Sequence, residues 1–360
     1  MVCLPSLPVG SLDWVGFITL IGQANAEIAR YDGILQGIVN AGVLLSPLTT
    51  KEAVISSKIE GTLASLEEVL QYEASPNVKT EKYNDIREII NYRDAMRFAV
   101  EWMEKKPLTL NLIKQMHGIL LDSVRGKDKG RGGFRTTQNY IGKPGASIEQ
   151  ATYIPPEPWL LMDHLHNFEK YMHYDEKDRL VQLAIIHAQF EIIHPFLDGN
   201  GRIGRILIPL FLYEKGVLNS PMFYISEYLE SNRDEYYANL KGVSEEKKWE
   251  NWVEFFLKAV IAQAKANSAK AKAILDLYDQ KKIKISAVTR SQYAIKVLDT
   301  LFQKPIFNTA DFIKISGIPR ASALRLLHRL KKDGVISSLK PGGPRKPELL
   351  VFGKLIGIVG

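Results

Sequence analysis

Two apolar runs leave the chain little freedom around residue 200. Leu180 to Ile193 (LVQLAIIHAQFEII) and Ile206 to Tyr213 (ILIPLFLY) carry aliphatic and aromatic residues on every side, so as helices both must be buried. Between them the chain turns polar and glycine-rich: His194-Pro195-Phe196-Leu197-Asp198-Gly199-Asn200-Gly201-Arg202-Ile203-Gly204-Arg205. Pro195 disfavours helical geometry at His194, so the first helix should end there. The glycines let backbone N–H groups crowd together and point one way, as phosphate cradles require. A second helix starting at about Gly201 or Arg202 aims its positive end at the same spot. Arg202 and Arg205 add paired donors for phosphate oxygens. Asp198 supplies a hard oxygen ligand suited to Mg²⁺, and His194 a base that titrates near neutrality.

Over this stretch the chain resembles the Fic family, whose motif H-P-F-x-[DE]-G-N-G-R-x-x-R has every fixed position present at 194–205. Further upstream, Ser56 and Glu60 stand four apart on one helical face, with Gly61 able to end the helix. This matches [S/T]-x-x-x-E-[G/N], the inhibitory motif of the family class that carries its inhibitor helix N-terminal in the same chain. Looser similarity covers 133–141, the segment leading into the family's flap, and 224–240, where Asn232-Arg233 precede Tyr236-Tyr237 and Leu240.

The resemblance implies a mainly α fold: a Fic-type helical bundle with a β-hairpin flap, spanning about residues 1–260. It implies transfer of AMP from ATP to a Ser, Thr or Tyr hydroxyl of a protein, the chain itself included. His194 would take the hydroxyl proton, and Asp198 would hold Mg²⁺. Gly199, Asn200, Gly201, Arg202, Gly204 and Arg205 would form the nucleotide-binding set, with Arg202 toward the β-phosphate and Arg205 toward the γ-phosphate. Tyr236 or Tyr237 would wall the adenine, Tyr237 being the residue assigned. Glu60, supported by Ser56, would pair with Arg205 and displace the γ-phosphate. Phe196 should only anchor the loop.

The net charge of +7 is unevenly spread. Residues 1–257 hold 27 Lys+Arg against 34 Asp+Glu, a balance of −7; residues 258–360 hold 20 against 6, a balance of +14. Such asymmetry marks a boundary and different partners for the two parts. From Ser291 the pattern is compact: helices over 291–302, 309–316 and 320–333, then Gly334-Val335-Ile336 and Leu349 to Phe352 flanking the Lys340 to Lys346 Gly/Pro stretch. This resembles a winged helix with Arg320 to Lys332 as recognition helix, made basic by Arg320, Arg325, Arg329, Lys331 and Lys332. Such a helix suits DNA, and the same fold also serves dimer or protein contacts, an alternative that the sequence leaves open; a DNA-binding regulator whose Fic body only senses nucleotide is the rival reading.

The expected organisation is an N-terminal helical region over 1–110 carrying the inhibitory helix, a catalytic core over 111–260, a linker helix over 261–288 and a winged-helix domain over 289–360. Trp249 to Ile261 reads as a closing core helix, and the alanine- and lysine-rich Gln263 to Lys284 as a long exposed connecting helix. Thr136 to Ile141 and Ser147 to Ile154 read as strands of the flap. His117, on an amphipathic helix over 108–121, reads as a packed or surface residue and not as a ligand. No apolar run reaches membrane-span length, the N-terminal residues show no basic stretch followed by an apolar core, and the single Cys3 fits a reducing compartment. The expected location is the cytoplasm, with room for a homodimer.

Overall fold

A computed structural model describes residues 6–10, 12–38, 40–76, 80–122, 130–142, 145, 147–343 and 346–360. Cys3 and part of the proposed wing tip, Pro344-Arg345, lie outside them. The fold is mainly helical. Helices α1 (Trp14–Gln36), α2 (Ala41–Leu44), α3 (Ser46–Ile59), α4 (Leu66–Ala74), α5 (Tyr83–Met103) and α6 (Leu110–Leu120) precede the flap region. Then come α7 (Leu161–Met172), α8 (Arg179–Ile193), α9 (Asn200–Glu214), α10 (Ser226–Ser231), α11 (Arg233–Glu246) and α12 (Trp249–Thr289). Helix α1 begins at Trp14, where the Asp13 side chain caps it at the Gly16 N–H. Among the described residues, no helix is long and apolar enough to cross a membrane.

The two apolar runs form α8 and α9, and nearly every residue of both is buried. Asp178 starts α8 by accepting the N–H groups of Leu180 and Val181, both at 2.9 Å. Helix α9 packs along α8, with α12 behind α8 and α5 and α6 also against α9. The join between α8 and α12 is aromatic: the fully buried Trp252 donates its indole N–H to the Ala184 carbonyl at 2.7 Å, with His187, Tyr236, Phe255 and Phe256 around it.

Helix α12 corrects one expectation. The closing helix and the exposed connector are a single helix of 41 residues, and the second half is not exposed along its length. Ala264, Asn267, Ala271, Ile274, Leu277 and Ile285 are buried there, and α1 runs against α12. Alanine reads as a surface residue in a lysine-rich stretch, yet its small side chain also permits close helix approach. The buried Asn267 amide is satisfied by the Tyr224 carbonyl at 3.0 Å.

The C-terminal segment holds α13 (Ala294–Gln303), β1 (Ile306–Phe307), α14 (Thr309–Ser316), α15 (Arg320–Lys332), β2 (Ser337–Lys340), β3 (Leu349–Val351) and α16 (Gly353–Val359). Its antiparallel sheet has the order β1-β3-β2, with Ile306 opposite Val351 and Ser337 opposite Val351 on the other edge. Strand β1 was not expected, being only two residues long. This segment packs on the N-terminal helices: α13 on α2 and α3, α16 on α3, and β1 on α4. Lys304 Nζ donates to the Glu73 carbonyl at 3.1 Å and Asn308 Nδ2 to the Ala74 carbonyl at 2.6 Å.

Trp252 ties α12 to the helix that ends at His194. Trp252→Ala should therefore destabilise the chain by about 3–5 kcal/mol, read as a marked fall in the thermal midpoint, with Trp252→Phe falling less. An unchanged midpoint for Trp252→Ala would mean that this cluster does not hold the core.

Candidate active site

Helix α8 stops at His194, whose backbone turns left-handed at φ 49° and ψ 60°. That conformation is uncommon outside glycine and asparagine, so something must hold it. Arg135 does. Its N–H donates to the Pro195 carbonyl at 2.9 Å and its Nε to the His194 carbonyl at 2.9 Å, while Nη2 donates to the Pro156 carbonyl. On the ring, Nδ1 lies 3.2 Å from the Glu191 carbonyl. A carbonyl only accepts, so Nδ1 carries the hydrogen and Nε2 keeps its lone pair. Burial pushes the His194 imidazole down to about 4, so it is neutral near pH 7.

The loop is clamped from its other side by His117. The imidazole stacks on Phe196 with centroids 3.7 Å apart and planes at 8°. Gly132 N–H donates to His117 Nδ1 at 3.0 Å, which leaves the hydrogen on Nε2 to reach the Asp198 carbonyl at 3.0 Å. Burial pushes His117 down to about 4, which preserves that neutral tautomer. His117 is packed, as expected, but it is packed against the loop itself.

Helix α9 begins at Asn200 after Gly199 at φ 80°, and no side chain caps it. Its first N–H groups are thus open to an anion. Asn200 points elsewhere: its amide bridges the Phe196 N–H and carbonyl, both at 2.8 Å, and is buried. Asp198 takes the Gly199 N–H at 2.6 Å and Arg202 Nη2 at 3.2 Å, and its side chain is still 42% exposed. Such a half-open carboxylate fits Mg²⁺, which draws most of its ligands from water and phosphate oxygens. Among the described residues no cluster of three or more His, Cys, Asp or Glu could hold a metal by itself. Arg202 is buried, with Nη1 on Glu88 Oε2 at 3.0 Å.

Arg205 is 1% exposed. Its Nε donates to Ser56 Oγ at 2.8 Å, and Nη2 donates to the Ser56 carbonyl at 2.8 Å and to Glu60 Oε1 at 2.6 Å. Burial works to raise the Glu60 carboxyl, but the Arg205 charge and hydrogen bond outweigh it and hold the group below its ordinary range. Glu60 Oε1 also lies against the backbone of Gly201, so close that a Cβ there would sit 2.2 Å away. Its carboxylate therefore stands at the mouth of α9. Gly61, at φ 94°, turns the chain away after it, and Arg233 Nη2 caps the end of α3 at the Ile59 carbonyl at 2.8 Å.

Beside this anion site is a cavity of about 500 Å³, lined by Ile141, Tyr153, Glu191, Ile192, Arg233 and Tyr237 among others. The two tyrosines left open by the sequence separate here. Tyr236 turns inward, its hydroxyl 3.0 Å from His187 Nε2, whereas the half-exposed Tyr237 lines the cavity. Gly204 faces Glu191 and not the mouth of α9: a Cβ on it would meet Glu191 Oε1 at 2.2 Å.

The flap is less regular than expected. Thr136 to Ile141 and Ser147 to Ile154 do not form two strands; one bridge joins Ile141 to Tyr153, and Ile148–Gln150 form a 3₁₀ turn. Side-chain amides anchor the segment instead. Asn139 Nδ2 donates to the Phe196 carbonyl at 2.9 Å, and Gln138 Nε2 to the Pro155 carbonyl at 2.9 Å.

The structure thus gathers Ser56, Glu60, His194, Asp198, Gly199, Gly201, Arg202, Arg205 and Tyr237 around one spot. Sequence reasoning gave no role to Arg135, Glu88, Glu191 and Arg233, and read His117 only as a packed or surface residue. Of these, Arg135, Glu191 and Arg233 stood inside quoted stretches, while Glu88 looks like any helical carboxylate.

Comparison with known proteins bears on the same stretch. The Fic/DOC family N-terminal model matches residues 18–101 and the Fic/DOC family model residues 107–212. A probable protein adenylyltransferase of Aquifex aeolicus is 34% identical over 103 residues, 28% of this chain and 32% of its own length. The protein adenylyltransferase Fic of Drosophila grimshawi is 30% identical over 194 residues, 52% of this chain and 36% of its own. The chain spans about a third of the length of these relatives. A solved Fic family protein from Desulfovibrio desulfuricans superposes with a TM-score of 0.62 at 19% identity, covering 96% of this chain and 97% of that one. Fic-1 of Caenorhabditis elegans gives 0.53 at 21% identity, covering 71% and 72%. The two matched regions together span more than half of the chain, which belongs to the Fic/DOC family.

Proposed function

We propose that the chain is a protein adenylyltransferase that moves AMP from ATP to a Ser, Thr or Tyr hydroxyl of a protein, and that Glu60 holds it inhibited. The observation that carries this reading is a carboxylate placed at the uncapped start of α9, beside a neutral imidazole and a nucleoside-sized cavity. The open N–H groups of α9, with Arg205, bind the phosphates once Glu60 leaves. Tyr237 and Ile192 wall the base. Asp198 is the residue that would hold Mg²⁺, which when bound neutralises phosphate charge. The substrate hydroxyl attacks the α-phosphorus, the bond to pyrophosphate breaks, and His194 Nε2 accepts the hydroxyl proton. His194 is already deprotonated at neutral pH, but burial holds it at about 4 and not near neutrality as the sequence suggests, which makes it a weaker proton acceptor.

The C-terminal segment supports a second reading alongside the first. We read 289–360 as a winged helix that binds duplex DNA through α15, because Arg320, Arg325 and Lys332 are exposed along it. Arg329 and Lys331 are committed elsewhere, to the Thr289 carbonyl and to Glu348.

His194→Ala should lower labelling from α-labelled ATP by about 10²–10⁴-fold while nucleotide binding persists. Labelling above a tenth of wild type would take His194 out of the base role.

Glu60→Gly should raise self-labelling about tenfold or more, since a charged competitor is worth at least ~1.4 kcal/mol. Adding Arg205→Ala should abolish that gain. Equal labelling by wild type and Glu60→Gly at saturating ATP would leave the α3 contact purely structural.

For the full-length chain, affinity for duplex DNA should fall steeply with salt, and replacing Arg320 and Arg325 by Ala should flatten that slope. Absence of binding at low salt would make this face a protein contact.

A further inference from the structure

We propose that Glu191 is a specificity residue for the nucleotide: its carboxyl takes a hydrogen bond from a donor on the nucleoside, either the exocyclic amine of the base or a ribose hydroxyl. The proposal rests on the reading of the cavity as a nucleoside site. Glu191 sits on the last turn of α8, three residues before His194, and lines the cavity together with Tyr237. Its Oε1 is buried against Gly204 and has no hydrogen-bond partner, so turning the carboxyl toward the cavity costs it no hydrogen bond there. A buried polar atom without a partner costs about 1–3 kcal/mol, so a donor supplied by a ligand removes a standing penalty.

The cations nearby do not serve it. Arg205 is committed to Ser56 and Glu60, and Arg233 Nη2 to the Ile59 carbonyl. Space for the carboxyl is also built in. Any side chain at position 204 would put its Cβ 2.2 Å from Oε1 and 3.3 Å from the Phe190 ring, so glycine there seats Glu191 against α9. Burial pushes the Glu191 carboxyl up to about 8. Near neutral pH it is therefore largely protonated, with one oxygen to accept and one O–H to give. The 6-amino edge of adenine and a ribose hydroxyl each offer a donor beside an acceptor, and both are absent from inorganic polyphosphate.

The test measures binding by the full-length Glu60→Gly chain, in which the phosphate site is open. Its ligands are ATP, purine riboside triphosphate (lacking the 6-amino group), 2′-deoxy-ATP, 3′-deoxy-ATP and inorganic tripolyphosphate. ATP should bind at least about tenfold tighter than one of the three analogues, and the weak analogue identifies the donor. Adding Glu191→Ala should weaken ATP by a similar factor and bring that ratio near one, while tripolyphosphate affinity is unchanged and shows an intact cradle. Glu191→Gln, which keeps an accepting oxygen, should preserve the ratio. An undiminished ratio in Glu191→Ala, or equal binding of ATP and all three analogues by the parent, overturns the role of Glu191 alone. Failure of the parent to bind ATP while it binds tripolyphosphate overturns the nucleoside reading as well.

Discussion

A guanidinium buried as deeply as Arg205 cannot stand without partners, because an unpaired charge in a protein interior costs several kcal/mol. Much of the geometry around the site follows from meeting that demand. Ser56 supplies a hydroxyl and a carbonyl, and Glu60 supplies the charge. Both come from α3, which is itself fixed by buried contacts: Ser226 Oγ donates to Glu52, and the Thr49 and Tyr224 hydroxyls meet at 2.6 Å. The pair thereby joins the N-terminal helices to the α8–α9 hairpin. It also sets the terms of any activation. A phosphate entering the mouth of α9 would replace one anion by another on the same guanidinium, so the exchange leaves no bare charge behind.

Local strain at the centre is held by neighbours that do no chemistry. The left-handed backbone at His194 is fixed by three donors of Arg135, and the stretch from Phe196 to Asp198 by His117 and Asn200. The two histidines share a physical situation and differ in what it does. Burial keeps each neutral, but His117 spends both ring nitrogens on the backbone, whereas His194 spends one and keeps the other available. An imidazole with a fixed tautomer and a free lone pair is the arrangement a general base needs.

How much of this was legible in the sequence depended on range. Helices α8 and α9 and the loop between them were readable because burial, proline and glycine act locally, within a few residues. The Ser56–Glu60 spacing was readable for the same reason, once helical. The pairing partners of the loop were not: Arg135, His117 and Glu88 lie some 60 to 110 residues away, and nothing in their own surroundings distinguishes them. The flap expectation failed for a related cause. Alternation between 136 and 154 suggests strands, but Gln138 and Asn139 find long-range acceptors that a period-two pattern cannot show.

The charge balance changes near residue 258, but no break in the backbone goes with it. Helix α12 runs through that point without a break, so the acidic and basic parts share one rigid element. The basic segment then folds back, and α13 and α16 rest on α3 while β1 rests on α4. Two carbonyls of α4, those of Glu73 and Ala74, accept from Lys304 and Asn308, while on α15 Arg320, Arg325 and Lys332 are exposed and Arg329 and Lys331 are paired with the Thr289 carbonyl and Glu348. The helix that leads to Glu60 is therefore bounded by α9 on one flank and by the basic segment on another. Any ligand that displaced that segment would have to repack α3, and with it the carboxylate on Arg205.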